Sequence, residues 1–472
     1  MRTRFSNIWN DKIIYIIYAT IFLNSVFANV LSFYLSGNTN DNTRFLISWG
    51  IILLLDLCIG VKFVKLFLDK KDIRKYCMKK ALLPMVFMIS ILAAIIISGF
   101  SNYAIKTFVL FGLYCVPAFF VAIILITENS MEQFFDAFRS VGFILMPYMV
   151  IYSIRYLNAK LVDNLQDFGG ISYLSIGYAA FIIISFCMGD LYLKLHKGKV
   201  KKYDIYFDII ICAFYSSVAT LSGSRGVLVV FCIWIVAFSV NMLIRKCKER
   251  ILIAALVLCL CSMGITTVWS VIHESAGISR TLYLIDEVKN GELEKAISSG
   301  EGKEILEEIE NKAESESGFR SIVEENKKEV DNSEKEEVIK SISNGSMARV
   351  YLYKLAFIEA NKTIIWGKGP LGYQLKYETY PHNIILEIMA DYGYVVMVIV
   401  CIALVLLLIN FIKCSKNNII YDALIIVSVG QAVRMMLSAS LYDDAYLIWI
   451  LVFLLDAIKN NPKETNVENM NI

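Results

Sequence analysis

Three residues far apart in the chain are of types that could act together on a phosphate ester: Arg225, Arg349 and His382. Guanidinium groups bind phosphate oxygens bidentately and keep their charge at any physiological pH. Histidine is the side chain best placed to move a proton near neutrality. Two fixed cations and one titratable group suit a phosphate-bearing donor attacked by a hydroxyl. Each residue also has a plainer reading. Arg225 follows Ser222-Gly223-Ser224 between two apolar runs, where an arginine either lines a polar cavity or snorkels to headgroups. Arg434, near the end of a later run, is open to the same two readings. His382 is one of three histidines, and Pro381 fixes the chain just before it, ahead of the apolar Ile384–Leu386. Between Arg349 and His382 lies Trp366-Gly367-Lys368-Gly369-Pro370-Leu371-Gly372, a glycine-dense turn suited to backbone approaching a ligand.

The elements that must position these residues are membrane helices. The chain has 472 residues, of which 57% are hydrophobic and 19% charged. Soluble domains average about 45–50% apolar and about 25% charged residues. The deciding feature is the length of the apolar runs, since about 20 helical residues cross the hydrocarbon layer. Such runs lie near 13–35, 45–68, 81–99, 104–127, 140–157, 170–189, 205–221, 226–244, 251–272, 394–412, 419–437 and 441–458. Backbone groups in lipid must be satisfied internally, so the runs predict an all-α fold of about twelve transmembrane helices. The first run is too long for a signal-peptide core and has no small-residue cleavage site after it. Eight of the eleven cysteines lie inside apolar runs and read as small core hydrophobes, not as a disulfide framework.

Basic residues concentrate in alternate loops. Arg2, Arg4 and Lys12 precede the first run, and Lys70, Lys71, Arg74, Lys75, Lys79 and Lys80 fill the second loop. The sixth loop carries Lys194, Lys197, Lys199, Lys201 and Lys202, the eighth Arg245, Lys246, Lys248 and Arg250, and the tenth Lys413 and Lys416. By the positive-inside rule both termini and all even-numbered loops are cytoplasmic, with only Glu128–Arg139 lacking a basic excess. The Ser222–Gly226 turn and the whole stretch from His273 to His382 then face outward. The chain divides into 1–272 (spans one to nine), 273–393 (an external loop of short helices) and 394–472 (spans ten to twelve and a cytoplasmic tail). Residues 282–342 are rich in Glu and Lys, and Ser333 with Glu336 resembles a capping box. A net charge of +3, with its basic residues beside apolar runs, gives no basic face for nucleic acid. There is no H-E-x-x-H, Cys/His cluster or Walker loop, so neither a metal nor another cofactor is expected. Asp443-Asp444 reads as a solvated turn, with a divalent-cation site as the alternative.

Ser222-Gly223-Ser224-Arg225-Gly226 after a mid-chain span, a large late external loop, Gly367-x-Gly369 and His382-Asn383-x-x-Leu386-Glu387 resemble the O-antigen ligase and polysaccharide polymerase superfamily. The resemblance covers the second half in detail and the whole chain by topology. It implies a bacterial inner-membrane glycosyltransferase of the C-type fold, inverting and metal-independent. Such an enzyme moves glycan from undecaprenyl diphosphate to a sugar hydroxyl on the outer face. It implies that Arg225 and Arg349 hold the diphosphate and that His382 activates or orients the acceptor. Ser224, Gly226, Gly367, Gly369, Tyr380, Asn383 and Glu387 would line or support the substrate site. Relatives often carry another arginine near the outer start of span six, whereas Gln166–Gly170 has none; Arg155, Arg280 or Arg434 is left to supply it. Implied partners are the lipid-linked glycan, an acceptor glycan, membrane lipid, a flippase and a chain-length regulator.

Three functions fit this reading. A polymerase is favoured, because nothing in the sequence indicates a surface for lipid A. A ligase passing finished glycan to lipid A core or another acceptor would use the same motifs. A flippase for lipid-linked sugars would also need about twelve spans, but the two halves show no inverted pair of broken helices.

Overall fold

The computed structural model describes residues 12–36, 41–158, 167–168, 171–198, 201–245, 250–273, 346–377 and 379–459. The helices in the first half are α1 (Asn24–Ser36), α2 (Asp41–Asp69), α3 (Lys71–Lys80), α4 (Leu82–Ile97), α5 (Asn102–Leu110), α6 (Val116–Glu128) and α7 (Met131–Asn158). A short ladder pairs Asp167–Phe168 with Ile171–Ser172 and leads into α8 (Tyr173–Lys197). Then come α9 (Lys202–Leu221), α10 (Arg225–Ile244), α11 (Arg250–Ile272), α12 (Ser346–Lys362) and α13 (Gly372–Tyr377). The chain closes with α14 (Ile384–Asn417), α15 (Ile419–Ser438) and α16 (Ala445–Lys459).

Among the described residues, eight helices are long and apolar enough to cross a membrane, and two bent pairs raise that to ten if each is one span. The protein is an all-α, multi-pass membrane protein. Most of each apolar run expected from the sequence is helical, but the first is divided between two helices bent by 110° and the sixth begins in the Ile171–Ser172 strand. The boundaries differ where polar residues extend a helix beyond hydrocarbon, as in α7 and α14, or where a turn consumes the run's start, as before α16. Expected short helices within 282–342 and the Ser333 cap lie outside the described residues.

Several helix starts are closed by side chains, because the first backbone N–H groups of a helix have no internal partner. Ser224 Oγ accepts from Val227 N at 3.4 Å, and Asn418 Oδ1 from Ile420 N at 2.9 Å. In α8, 89% of the apolar window is buried, so this helix is the centre of the bundle. Its Phe186 stacks on Phe138 of α7 with ring centroids 3.8 Å apart, and Trp449 of α16 completes the aromatic cluster. The corresponding window of α14 is only 6% buried, so α14 turns its apolar surface outward.

Ion pairs join the even-numbered loops at one end of the bundle. Lys70 meets Glu128 at 2.9 Å, linking the second loop to the fourth. Lys194 and Lys197 of the sixth loop pair with Asp136 and Glu132 of the fourth. Arg245 meets Asp422 at 2.9 Å, and Tyr76 and Tyr421 both donate to Asp456 at 2.7 Å. The absent basic excess in the fourth loop therefore has a physical reason: its acids are the counter-charges of its neighbours' lysines.

At the opposite end α14 is broken. Gly393 sits at φ +83°, and a β-carbon there would collide with the carbonyl of Ile365. Residues 364–369 fill the break: Lys368 N donates to Ala390 O at 3.0 Å, Gly369 N to Asp391 O at 2.8 Å, and Tyr394 N to Ile364 O at 2.9 Å. Gly393→Ala adds both positive-φ strain and a backbone clash, of order 1–3 kcal/mol for the strain alone. It is expected to lower the thermal midpoint of the detergent-purified protein, with Gly60→Ala of α2, where a β-carbon would meet no atom within 4 Å, as the unchanged control.

Candidate active site

The Ser222–Gly226 turn packs directly on α8. A β-carbon on Gly177 would collide with Ser222 Oγ, and one on Gly226 would come within 2.7 Å of Tyr178 Oη. The turn therefore requires small residues on both sides of the contact. Gly223 takes φ +62°, a left-handed conformation that lets α9 stop and α10 start within three residues. Ser224 caps α10, and Arg225 is its first residue, half-buried and engaged within the protein.

Arg349, in the first turn of α12, reaches the same place. Its Nη1 lies 3.6 Å from where a β-carbon on Gly226 would stand. Tyr178 lies beside both and donates to Ser438 Oγ at 2.8 Å. Arg434 stands 6.0 Å from the centre of the Tyr178 ring, held by Asp444 Oδ2 at 2.6 Å and by Gln431 Oε1 at 2.7 Å. The start of α10 is thus ringed by three arginines from three helices, with the favourable end of the α10 dipole pointing among them.

His382 completes the cluster. Its backbone is at φ +56°, a strained conformation for a residue with a side chain. Asn383 holds that bend: its Oδ1 accepts from Ile385 N and Leu386 N at 2.9 and 3.1 Å, and its Nδ2 donates to Met436 O at 3.0 Å. The Tyr380 ring packs on the imidazole with centroids 4.3 Å apart. Burial, and second the charge of Arg349, pull the His382 imidazole down to about 4. At neutral pH it is uncharged, and its Nδ1 is buried without a hydrogen-bond partner among the described residues. Burial also holds the Tyr380 phenol above its ordinary value, so it stays protonated. An uncharged imidazole beside fixed guanidinium groups can accept a proton while they hold an anion.

Other expected residues are placed differently. Gly367 makes its close approach to the chain's own backbone at Asp391 and Tyr392, not to a ligand, and Gly369 hydrogen-bonds Asp391 in the same docking. Glu387 is fully buried; Ser440 Oγ and Leu441 N donate to it at 2.9 and 2.7 Å, and Gln374 donates as well. It positions the turn before α16, so its contribution to the site is indirect. Asp444 is no solvated turn residue: it is 6% exposed, pairs with Arg434 and caps α16. Arg155 is exposed at the end of α7, and Arg280 lies outside the described residues. Of the three candidates for a further cation, Arg434 is the one seen beside the α10 start. Sequence reasoning missed Tyr178 and Ser438, whose only signal was a hydroxyl within an apolar run. Among the described residues no group of three or more His, Cys, Asp or Glu is placed to hold a metal ion.

Residues 210–401 match the family model described as O-antigen ligase. The match supports the resemblance of this part of the chain to the O-antigen ligase and polymerase superfamily. The matched stretch runs from α9 into α14 and contains Arg225, Arg349 and His382. A search of the curated proteins finds no match.

The electrostatic origin of the neutral imidazole is testable. Arg349→Gln removes a nearby cation and is expected to raise the His382 pKa, leaving it below 6.5 because burial remains the larger cause. Nitrogen-resolved NMR of histidine-labelled protein, with His196→Gln and His273→Gln backgrounds for assignment, reads the shift. An unchanged titration would detach Arg349 from His382.

Proposed function

We propose that this protein is a polysaccharide polymerase of the bacterial inner membrane, extending glycan on undecaprenyl diphosphate at the outer face. The observation that carries this reading is the meeting of the Arg349 guanidinium with the α10 start beside an uncharged His382. The meeting of even-numbered loops at the other end of the bundle supports twelve spans with both termini cytoplasmic.

In the proposed reaction Arg225 and Arg349 bind the donor diphosphate, with α10 N–H groups adding to the field. The acceptor hydroxyl oxygen attacks the anomeric carbon from the face opposite the diphosphate. A new carbon–oxygen bond forms, the bond to the diphosphate breaks with its electron pair, and the configuration inverts. The hydroxyl proton passes to His382, whose Nδ1 has no competing partner among the described residues. The charge growing on the leaving diphosphate is met by the guanidinium groups, which do not have to reorganise as it develops. The arginines supply the positive charge that a metal ion would otherwise bring. Tyr380 packs the imidazole, Asn383 fixes its backbone, and Glu387 holds the turn behind it. Arg434 is assigned as the third cation, acting through Tyr178 and the α10 start.

The family description favours a second reading, a ligase that transfers finished glycan to another acceptor. The same bonds form and break, so the acceptor alone distinguishes them. Purified protein given one defined lipid-linked repeat unit is expected to build a ladder of lengths. A single product, made only when a different acceptor is added, would assign the ligase. His382→Ala is expected to lower the rate by 10²–10⁴, roughly the range for a lost general base. Arg225→Ala is expected to abolish polymer at unchanged protein level, and normal polymer from either variant would remove these residues from the chemistry. Single repeats accumulating outside the membrane support a glycosyltransferase; their retention inside would point to a flippase.

A further inference from the structure

The end of α12 and the segment between α12 and α13 carry apolar side chains that stay exposed among the described residues. Trp366 is 82% exposed, Ile364 58%, Ile365 54% and Phe357 46%. On a soluble surface such a patch would mark a binding site or an aggregation liability. Here the backbone fixes its height relative to the lipid. Ile364 O accepts from Tyr394 N at 2.9 Å, and Tyr394 Oη donates to Asn361 Oδ1 at 2.8 Å. The outward-facing apolar stretch of α14 begins at the next residue, Val395, and continues through Ile399, Ile402 and Leu406. Residues 364–366 are therefore pinned where α14 enters hydrocarbon.

The polar side chains around the segment fit that level. Glu359 is fully buried on α12, and the ammonium groups of Lys362, Lys368 and Lys376 stand 3.3, 3.2 and 3.1 Å from its oxygens. Tyr377 Oη donates to the same carboxylate at 2.8 Å. Burial alone would raise Glu359, but Tyr377, Lys376 and Lys368 outweigh it and hold the group at about 2. The carboxylate therefore stays ionised and gathers the three lysines. One negative charge among three positive ones leaves the patch cationic. The lysines remain partly open to solvent, with side chains 40%, 33% and 28% exposed.

We propose that the elbow at residues 357–376 is an interfacial membrane anchor. Ile364, Ile365 and Trp366 enter the leaflet beside α14, and Lys362, Lys368 and Lys376 meet its anionic headgroups. Tryptophan is enriched at this depth because its ring is apolar and its N–H is polar. Lysines near an anionic lipid surface are drawn to its headgroups. The anchor follows the last turn of α12, whose first turn carries Arg349. Seating it in the leaflet sets the height of Arg349 relative to lipid headgroups. The inference requires only a membrane beside α14; it is independent of the reaction assigned to the site.

The test replaces Trp366 with the photo-crosslinking residue benzoylphenylalanine in the full-length chain, placed in nanodiscs of phosphatidylethanolamine and phosphatidylglycerol. Val405 of α14 and Trp234 of the core receive the same substitution as the lipid-facing and buried references. Mass spectrometry is expected to find phospholipid adducts at 366 and 405 and none at 234. Adducts at 405 without any at 366 would overturn the anchor. So would crosslinking of 366 mainly to a second copy, or to the acidic stretch 282–342 of the same chain. A separate arm measures the charge. Lys362→Gln with Lys368→Gln is expected to abolish the excess of phosphatidylglycerol over phosphatidylethanolamine among the 366 adducts, and an unchanged lipid ratio would overturn the headgroup assignment.

Discussion

A helix that breaks at a membrane surface must find new partners for the backbone groups it releases, because lipid supplies none. In α14 the break falls at Gly393, and residues 364–369 fill it through main-chain hydrogen bonds alone. Much of this end of the bundle follows from this docking. It joins the chain leaving α12, which carries Arg349, to the helix that begins just after His382. One turn apart on α14, Glu387 and Asp391 then hold α13 and the turn before α16. Asp391 accepts from Tyr373 N at 2.9 Å and from Tyr442 Oη at 3.2 Å. Carboxylates buried so deeply persist only when hydrogen-bonded, and both are.

The site is built from opposed requirements. In the proposed reaction Arg349 and Arg225 remain charged, whereas His382 stays uncharged to accept a proton. The protein meets both by burying the imidazole and placing a guanidinium near it, so the same cation that would bind an anion also discourages a second positive charge. The strained φ of His382 belongs to the same arrangement. The bend is over-determined by the Asn383 cap on one side and the Tyr380 ring on the other, which lets an unfavourable backbone conformation persist.

Much of the fold was legible in the sequence, because a membrane reduces the problem to runs of apolar residues and the sign of the loops between them. The cluster of Arg225, Arg349 and His382 was legible as three residue types on one side. Their meeting at the α10 start was not, since it depends on Gly177 and Gly226 admitting a close contact between α8 and the Ser222–Gly226 turn. The glycines at 367 and 369 announced a close approach, but the sequence could not say that the approaching partner was the chain itself. Asp444 read as a solvated turn because its cation, Arg434, lies ten residues earlier on the preceding helix. Glu359 drew no notice, because a single acid on a short helix gives no sign that three lysines will converge on it.

The central claim is that a lipid-linked diphosphate is held at the start of α10 by arginines from two helices, facing an uncharged histidine. The most direct measurement is a cryo-electron microscopy structure with undecaprenyl diphosphate bound in nanodiscs. The account predicts both phosphates within hydrogen-bonding reach of Arg225 and Arg349, with His382 on the side where the acceptor would approach. Phosphates lodged elsewhere, with Arg225 and Arg349 engaged only by the protein's own groups, would contradict it.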